Sequence, residues 1–151
     1  MNIVYKNYTF QKLSINELYS VLKLRSEVFV IEQNCIYQDM DGKDKDAIHV
    51  LGFSTEGTLL AYARILPEGI AYPEWSIGRV IVAKKARNTG EGHRLMAQCL
   101  ECIFKSAGKK AIRISAQLHL KQFYERHQFT STGKSYLEDG IPHIEMLYTP
   151  S

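Results

Sequence analysis

The fold of this chain is decided by one stretch, IGRVIVAKKARNTGEGHRLM, which covers residues 77–96. Its first six residues are mostly β-branched and apolar, which predicts a buried strand. A basic turn follows at residues 84–89. Gly90 and Gly92 then open a segment whose apolar residues recur at the spacing of one helix face. Those apolar residues are Leu95, Met96, Cys99, Leu100, Ile103 and Phe104.

A strand, a glycine-bearing turn and a helix N-terminus together predict a site for a phosphate group. The first N–H groups of a helix have no partner inside the helix, and the helix dipole adds partial positive charge there. Glycines let an anion approach the backbone closely, and Arg87 and Arg94 add cationic donors. The alternative is an ordinary connection between a strand and a helix. The stretch contains no P-loop motif, and Leu95 stands where the dinucleotide fingerprint has its third glycine.

These residues resemble a known family. The pattern Arg87-x-x-Gly90-x-Gly92 after a β-branched strand is similar to the pyrophosphate loop of the GCN5-related N-acetyltransferases (GNAT). Residues 118–129, LHLKQFYERHQF, resemble a later helix of that family, whose Phe-Tyr pair carries the general acid. Four further segments resemble a bacterial subfamily, the ElaA-type acetyltransferases, so that the resemblance covers most of the chain. They are Leu24–Gln33, Tyr37–Asp41, Ala61–Ile65 and Asp139–Ile144.

The resemblance implies that the chain binds acetyl-CoA as co-substrate. In that family the N–H groups of the loop hold the pyrophosphate. The pantetheine arm lies between two splayed strands, here residues 77–82 and 111–116, and borrows strand hydrogen bonds as an added peptide strand would. The cofactor-binding residues implied in this way are Val80, Ile81, Val82, Arg87, Asn88, Thr89, Gly90, Glu91, Gly92 and His93.

The resemblance also implies catalytic groups for acetyl transfer to an amine. A backbone N–H near Val80 to Val82 would stabilise the oxyanion, and Tyr124 would protonate the departing thiolate. A phenol with a pKa of about 10 stays protonated at neutral pH and donates well. The alternative for Tyr124 is a core aromatic residue beside Phe123. The family has glycine where this chain has Gln128, a position that suits a left-handed turn.

The sequence does not assign the general base. Carboxylate and imidazole groups can both accept a proton directly or through water, so the candidates are Glu32, His143, Glu27 and His49. Glu32 and His143 are the catalytic candidates we retain. Glu32 borders the acceptor site in the resembled family, and its alternative is a surface charge. Arg25 and Arg64 are candidate substrate-binding residues for an acceptor carboxylate. Either could instead form an ion pair with Glu27 or Asp41.

The order of predicted elements is β, α, β, β, β, α, β, α, β, β. Strand–helix–strand units predict parallel pairing in the middle, and hairpins predict antiparallel pairing at the ends. Ser14 and Glu17 form a predicted capping box for the first helix. The expected fold is therefore a single α/β domain over residues 1–151, with a twisted mixed sheet, flanking helices and splayed central strands, as in the resembled family.

Composition bounds the class of protein. The chain has 151 residues, 45% of them hydrophobic and 23% charged, with a net charge of +3, which fits one globular domain and is too mild to favour a nucleic-acid partner. No apolar run approaches the roughly 20 residues needed to span a bilayer. We therefore expect a cytoplasmic protein without a membrane partner. The three cysteines favour reduced, small apolar residues over a disulfide framework. The aspartate-rich segment 35–46 fails the EF-hand template and is expected to be a solvated loop or substrate lid, without a metal.

Three hypotheses for function follow, from different classes. The first is an acetyl-CoA-dependent N-acetyltransferase that acts by direct transfer on a primary amine of an unidentified small molecule or peptide, with a homodimer as a possible assembly. The second is a non-catalytic acyl-CoA-binding regulatory module. A third is an unrelated phosphate-binding α/β protein.

Overall fold

The computed structural model describes residues 2–150. Its strands and α-helices follow the predicted order, and short 3₁₀ turns join several of them. The helices are α1 (Ile15–Arg25), α2 (Glu91–Ala107) and α3 (Lys121–Glu125). The strands are β1 (Ile3–Thr9), β2 (Ile48–Ser54), β3 (Leu59–Leu66), β4 (Ser76–Val82), β5 (Ile112–Gln117), β6 (Phe129–Glu138) and β7 (Ile141–Tyr148).

The strands form two antiparallel sheets, with the orders β1-β2-β3-β4 and β5-β7-β6. A single parallel bridge between Trp75 and Ile112 joins β4 to β5 at the start of both strands. The two strands then separate, so the facing edges of β4 and β5 have no further strand partner among the described residues. The predicted α/β fold with splayed central strands is confirmed, and its parallel pairing is limited to this one bridge.

The core lies between the sheets and α2. All eight residues of β3 are buried, because this strand has a neighbour on each side and is covered on both faces. One face of α2 packs on the sheets through Leu95, Met96, Cys99 and Ile103, all fully buried. Cys99 is thus an apolar core residue, and burial raises the pKa of its thiol. The three cysteines are free, as predicted.

Helix α1 begins at the predicted capping box. The Ser14 hydroxyl accepts from the Glu17 N–H at 3.0 Å, and the Ser14 N–H donates to the Glu17 carboxylate at 2.8 Å. After Arg25 the helix widens into a π-helical segment, Ser26–Glu32. Such widened turns occur often at functional sites. Here the segment brings Val28 and Glu32 to the gap between β4 and β5.

Strand β4 contains a β-bulge. Tyr62 of β3 faces Ile81, and Arg64 faces Gly78, so Ala63 alone lies opposite two residues of β4, Arg79 and Val80. Arg79 has a φ of 52°, which is in the left-handed region. A bulge bends its strand and raises the local twist, and this one lies where β4 moves away from β5.

No helix within residues 2–150 is long and apolar enough to cross a membrane.

Candidate active site

A cavity of about 860 Å³ fills the gap between the splayed strands. Its volume lies in the range of small-molecule and cofactor sites. Both strand edges line it, together with the π-helical segment, segment 35–46, α3 and the β6–β7 turn. Of the predicted site residues, those that line it are Glu32, Arg64, Val80, Ile81, Val82, Arg87, Gly92, Tyr124 and His143.

The predicted phosphate loop carries a run of free backbone donors. Within residues 2–150, no hydrogen bond uses the N–H groups of residues 88–92. The His93 N–H already donates to the Gly90 carbonyl at 3.2 Å. Asn88 and Gly90 have φ values of 64° and 79°, which turns successive N–H groups toward one side. Such a concave run of donors at a helix N-terminus suits an anion.

Side chains of the loop are mostly used inside the protein. The Thr89 hydroxyl donates to the Ala86 carbonyl at 2.7 Å. Glu91 is buried and accepts from the Tyr5 hydroxyl and, at 3.0 Å, from Arg94. Arg94, a predicted cationic donor, is therefore held by Glu91. The loop can bind a ligand through its backbone, whereas these side chains fix its shape.

Two predicted site residues, Arg87 and Glu32, bind each other. The two terminal nitrogens of Arg87 donate to the two oxygens of Glu32 at 2.7 and 3.0 Å. The Arg87 Nε donates to the Val82 carbonyl at 2.9 Å. The hydrogen bonds from Arg87 lower the pKa of Glu32. The Arg87 guanidinium and the Glu32 carboxylate are therefore engaged with each other. Neither is free for its predicted role, which is cofactor binding for Arg87 and proton acceptance for Glu32.

The histidine in the first turn of α2, His93, pairs with a second histidine that sequence reasoning missed. His93 Nδ1 lies 2.9 Å from His127 Nε2, and the ring of His93 stacks on Phe123 at 4.7 Å. Burial and the neighbouring His93 lower the pKa of His127. Phe123 also lies against Gly92, where an added Cβ would come within 3.2 Å of its ring. Gly92 thus allows α2 and α3 to pack closely.

Tyr124 is buried on α3 and lines the cavity. Its ring packs edge-on against Phe123 and Phe129, with centroids 5.1 and 5.9 Å apart. Its hydroxyl makes no hydrogen bond with any residue of 2–150. Burial raises the pKa of this hydroxyl, and the nearby Cys99 adds to the effect. The group is therefore protonated at neutral pH and free to donate into the cavity.

Gln128 keeps the end of α3 in the geometry that glycine would give. Its φ is 70°, in the left-handed region, although it has a side chain. The His127 N–H donates to the Tyr124 carbonyl at 2.9 Å, and the Gln128 N–H donates to the Glu125 carbonyl at 3.0 Å. The departure from the family's glycine therefore leaves the helix end intact and Tyr124 facing the cavity.

His143 lies in β7, is nearly buried and lines the cavity. Its Nδ1 is 2.7 Å from the Ile141 carbonyl. Since a carbonyl only accepts, Nδ1 carries the hydrogen and donates. When the ring is neutral, the lone pair is on Nε2, which lies 3.3 Å from Glu138. A carboxylate only accepts, so Nε2 and Glu138 form an ion pair when Nε2 is protonated. This arrangement fixes the tautomer and provides a carboxylate beside the imidazolium that would form on proton uptake.

The other candidate bases lie elsewhere. His49 is fully buried, with Nε2 donating to the Asp44 carbonyl at 2.9 Å and Nδ1 accepting from the Tyr62 hydroxyl at 2.7 Å. Burial lowers its pKa, so it is a neutral structural residue. Glu27 is exposed, and neither residue lines the cavity.

Arg25 and Arg64 are part of a buried ion network. Arg25 donates to Asp39 and Asp44 at 2.7 Å each. Arg64 donates to both oxygens of Asp41 at 2.8 Å and to Asp44 at 3.0 Å. Arg25 is fully buried and does not line the cavity, so the substrate-binding role predicted for it has no support in this geometry. Arg64 does line the cavity, and its Nε is buried without a partner among the described residues.

Sequence reasoning missed Arg79 and Asp39. Arg79 Nε donates to the Asp39 carboxylate at 2.7 Å, and its NH2 group donates to the Asp39 carbonyl at 3.0 Å. A charged residue inside the apolar run 77–82 was the available signal. Its meaning depends on a partner forty positions away in segment 35–46, which no local pattern shows.

One strand donor faces the gap. The Ala83 N–H donates to the Leu60 carbonyl at 2.7 Å, toward the β3 side. Because N–H groups alternate in direction along an antiparallel strand, the Val82 N–H points away from β3, into the space beside β5.

Comparison with known proteins confirms the resemblance to the GNAT family. The model of a family described as acetyltransferase (GNAT) domain matches residues 7–150. The chain belongs to this family. The ElaA protein of Escherichia coli is 42% identical over 146 residues, which are 95% of each chain. The crystal structure of that protein superposes with a TM-score of 0.91 at 40% identity and covers 98% of this chain and 100% of its own.

A second GNAT relative is an acyl-CoA N-acyltransferase. The crystal structure of an acyl-CoA N-acyltransferase from Pseudomonas aeruginosa superposes with a TM-score of 0.92 at 38% identity and covers 98% of this chain and 100% of its own. Membership of the family makes this protein an acyl-CoA-dependent acyltransferase related to ElaA. Within residues 2–150, no group of His, Cys, Asp or Glu side chains is placed to hold a metal ion. The cytoplasmic location and the homodimer stay predictions.

Proposed function

We propose that this GNAT protein transfers an acetyl group from acetyl-CoA directly to a primary amine of a small molecule or a peptide. The observation that supports this proposal is one cavity that joins three features. They are the unpaired edge of β4, Gly92 at the N-terminus of α2, and the free hydroxyl of Tyr124. Direct transfer needs donor and acceptor in a single space, which this cavity provides.

The chain's donors fit coenzyme A. Its pyrophosphate would accept from the N–H groups of residues 88–92. Its amide-rich arm would lie along β4, where the Val82 N–H faces the gap. The same N–H is our candidate for the donor that stabilises negative charge on the carbonyl oxygen during attack. Acetyl-CoA itself supplies the activated thioester.

Protons move at two places in this scheme. The amine loses a proton before or during attack, the new C–N bond forms, and the C–S bond breaks. Tyr124 donates its proton to the departing sulfur, because it is protonated and has no competing acceptor. For the base, His143 is favoured over Glu32, because its Nε2 accepts no hydrogen bond among the described residues, whereas the Glu32 carboxylate accepts two from Arg87. Glu138 would then stabilise the imidazolium.

The first test measures binding and turnover separately. A thermal-shift assay with coenzyme A should show stabilisation, about 2.7 kcal/mol at 100 times the dissociation constant. Release of free thiol from acetyl-CoA is then measured over a library of primary amines. Binding without thiol release for any amine would favour the non-catalytic acyl-CoA module. A shift with nucleotides that lack pantetheine, but none with coenzyme A, would overturn both readings.

The second test assigns the base. His143→Gln keeps a polar side chain and removes the proton acceptor, so turnover should fall by about 10²- to 10⁴-fold. Glu32→Gln removes the ion pair with Arg87. If His143 is the base, this variant should retain turnover and bind coenzyme A slightly more tightly, because Arg87 is freed for phosphate. The reverse pattern, loss in Glu32→Gln and retention in His143→Gln, would assign the base to Glu32.

A further inference from the structure

The β-bulge in β4 rests on a strained arginine. Arg79 adopts a left-handed backbone conformation, with a φ of 52°, which is unfavourable for an L-residue that has a side chain. Such strain persists only where the surrounding structure imposes it. The bulge also sets the direction of every following N–H on β4, because a change of register by one residue reverses the edge that each group faces.

Asp39, in segment 35–46, holds this arginine through hydrogen bonds. Its Oδ1 accepts from Arg79 Nε at 2.7 Å and from the Tyr37 hydroxyl at 3.0 Å, and its Oδ2 accepts from Arg25 Nε at 2.7 Å. Its carbonyl accepts from Arg79 at 3.0 Å and from Arg25 at 3.3 Å. The Arg79 guanidinium also lies over the rings of Phe29 and Tyr37, at 6.0 and 5.9 Å.

We infer that Asp39 is a positioning residue for acyl transfer. It grips Arg79, holds the β4 bulge in place and thereby keeps the Val82 N–H turned toward the gap. This inference rests on the proposed function. Asp39 belongs to segment 35–46, which lines part of the cavity, so its hydrogen bonds to Arg79 join this segment to β4. Without the grip, Arg79 relaxes toward an ordinary strand conformation, and the donors of β4 lose their direction.

A purely structural role for Asp39 is the competing explanation, since Asp39 also neutralises the buried Arg25. Glycine at position 79 separates the two roles. It adopts a left-handed φ without strain, so Arg79→Gly keeps the bulge although the grip is lost. Arg79→Lys keeps a cation and the strain but loses the planar fork that Asp39 holds.

The experiment compares Asp39→Asn, Arg79→Gly, Arg79→Lys and the Asp39→Asn/Arg79→Gly double variant. Asp46→Asn is the control, since Asp46 lies in the same segment, is exposed and forms no ion pair among the described residues. Two quantities are measured on each folded protein. They are kcat and KM for acetyl-CoA with a found acceptor, and the backbone amide NMR signals of residues 78–82, which report the bulge without any turnover.

We expect Asp39→Asn and Arg79→Lys to lower kcat by about 10- to 100-fold, the cost of a small misplacement at the reacting centre. KM should change less, and the amide signals of residues 78–82 should shift in both variants. Arg79→Gly should keep kcat within about threefold of the parent, because its backbone is unstrained. In the Arg79→Gly variant, the added Asp39→Asn substitution should lower kcat only slightly further.

Two results would overturn the inference: an Arg79→Gly variant as impaired as Arg79→Lys, or an Asp39→Asn variant whose amide signals at 78–82 match the parent. Equal loss of kcat in Asp39→Asn with and without Arg79→Gly would assign Asp39 a purely structural role. If the parent turns over no amine, the proposed function fails. The amide signals then still decide whether Asp39 holds the bulge.

Discussion

Two regions beside the cavity, the ion network and the loop at residues 88–92, differ in how their polar groups are paired. In the ion network, Arg25, Arg64 and Arg79 are matched to three aspartates, and the carboxylates of Asp39 and Asp44 are each shared between two arginines. In the loop at residues 88–92, the N–H groups have no partner within the described chain.

The difference separates scaffold from binding surface. A buried charge that already has its partners gains nothing from a ligand, and breaking its pairing costs stability. A concave run of unpaired donors costs little in water and gains a partner only when an anion arrives. The Tyr124 hydroxyl resembles the loop donors in this respect, because it also makes no hydrogen bond within residues 2–150. We therefore expect changes at Asp41 and Asp44 to affect folding, and changes at the unpaired donors to affect binding or turnover. Asp39, which also holds Arg79, should affect turnover as well.

The largest expected effect is at Tyr124. Tyr124→Phe removes the unpaired hydroxyl and keeps the ring, so the free energy of unfolding should change little. Turnover should fall by about 10²- to 10⁴-fold, because a positioned general acid is lost. The affinity for acetyl-CoA should fall much less, since the bond matters most as charge builds on sulfur. Full turnover in the folded variant would falsify the acid role and make Tyr124 a core aromatic.

The opposite pattern is expected at Asp44. Asp44→Ala leaves Arg25 and Arg64 short of a partner in a buried site, which should lower the free energy of unfolding by about 3–5 kcal/mol. Urea unfolding measures this loss, and Asp46→Ala in the same segment is the matched control. Coenzyme A binding by the fraction that remains folded should be unchanged. A loss of stability no greater than that of the control would show that Asp44 and its ion pairs do not stabilise the fold.

Acid should weaken the same network. Burial acts to raise the pKa values of Asp41 and Asp44, but the hydrogen bonds from Arg64 and Arg25 prevail and hold both below the usual range. A carboxyl group with a lowered folded-state pKa stabilises the fold above its unfolded pKa, near 3.9, and loses that contribution as pH falls further. We expect thermal stability to decline below about pH 4, and less steeply in Asp41→Asn. An unchanged slope in that variant would contradict the assignment.

A smaller effect is expected at Gly90. Gly90→Val places a β-branched side chain at a φ of 79° and crowds the unpaired donors, so coenzyme A binding should weaken by about tenfold or more. Gly133→Val is a matched control, because Gly133 has a φ of 91° and, like Gly90, open space around it, but lies on β6. Both variants should lose stability, and only Gly90→Val should lose affinity in a binding titration. Equal affinities would refute the pyrophosphate assignment.

The smallest expected effect is a gain. Gln128 is exposed and left-handed, so Gln128→Gly removes strain at a modest entropic cost and should stabilise the protein by about 0.5–1 kcal/mol. Gln122→Gly, on the exposed side of α3, should instead destabilise it. Thermal unfolding of the two variants decides the sign. A loss of stability in Gln128→Gly would mean that the side chain contributes more than its strain costs.

The sequence predicted those parts of the fold that local chemistry controls. The capping box at Ser14 and the strand and helix around Gly90 were found from spacing and residue type, whereas the helix that carries Tyr124 was found from the family resemblance. The bulge at Arg79 and its partner Asp39 were not, because each residue acquires its meaning from a neighbour that only folding supplies. The same limit applies to Glu32 and Arg87, since their charges show in the sequence and their pairing does not.

The single bridge between Trp75 and Ile112 has a consequence for the unliganded protein. Beyond it, β4 and β5 each present a bare strand edge, the type of surface on which foreign chains add and aggregates begin. Here the two bare edges face each other across the cavity. An extended ligand that bonds to them would complete a continuous sheet across the molecule. The co-substrate would then act for a time as a removable strand that protects the protein from self-association.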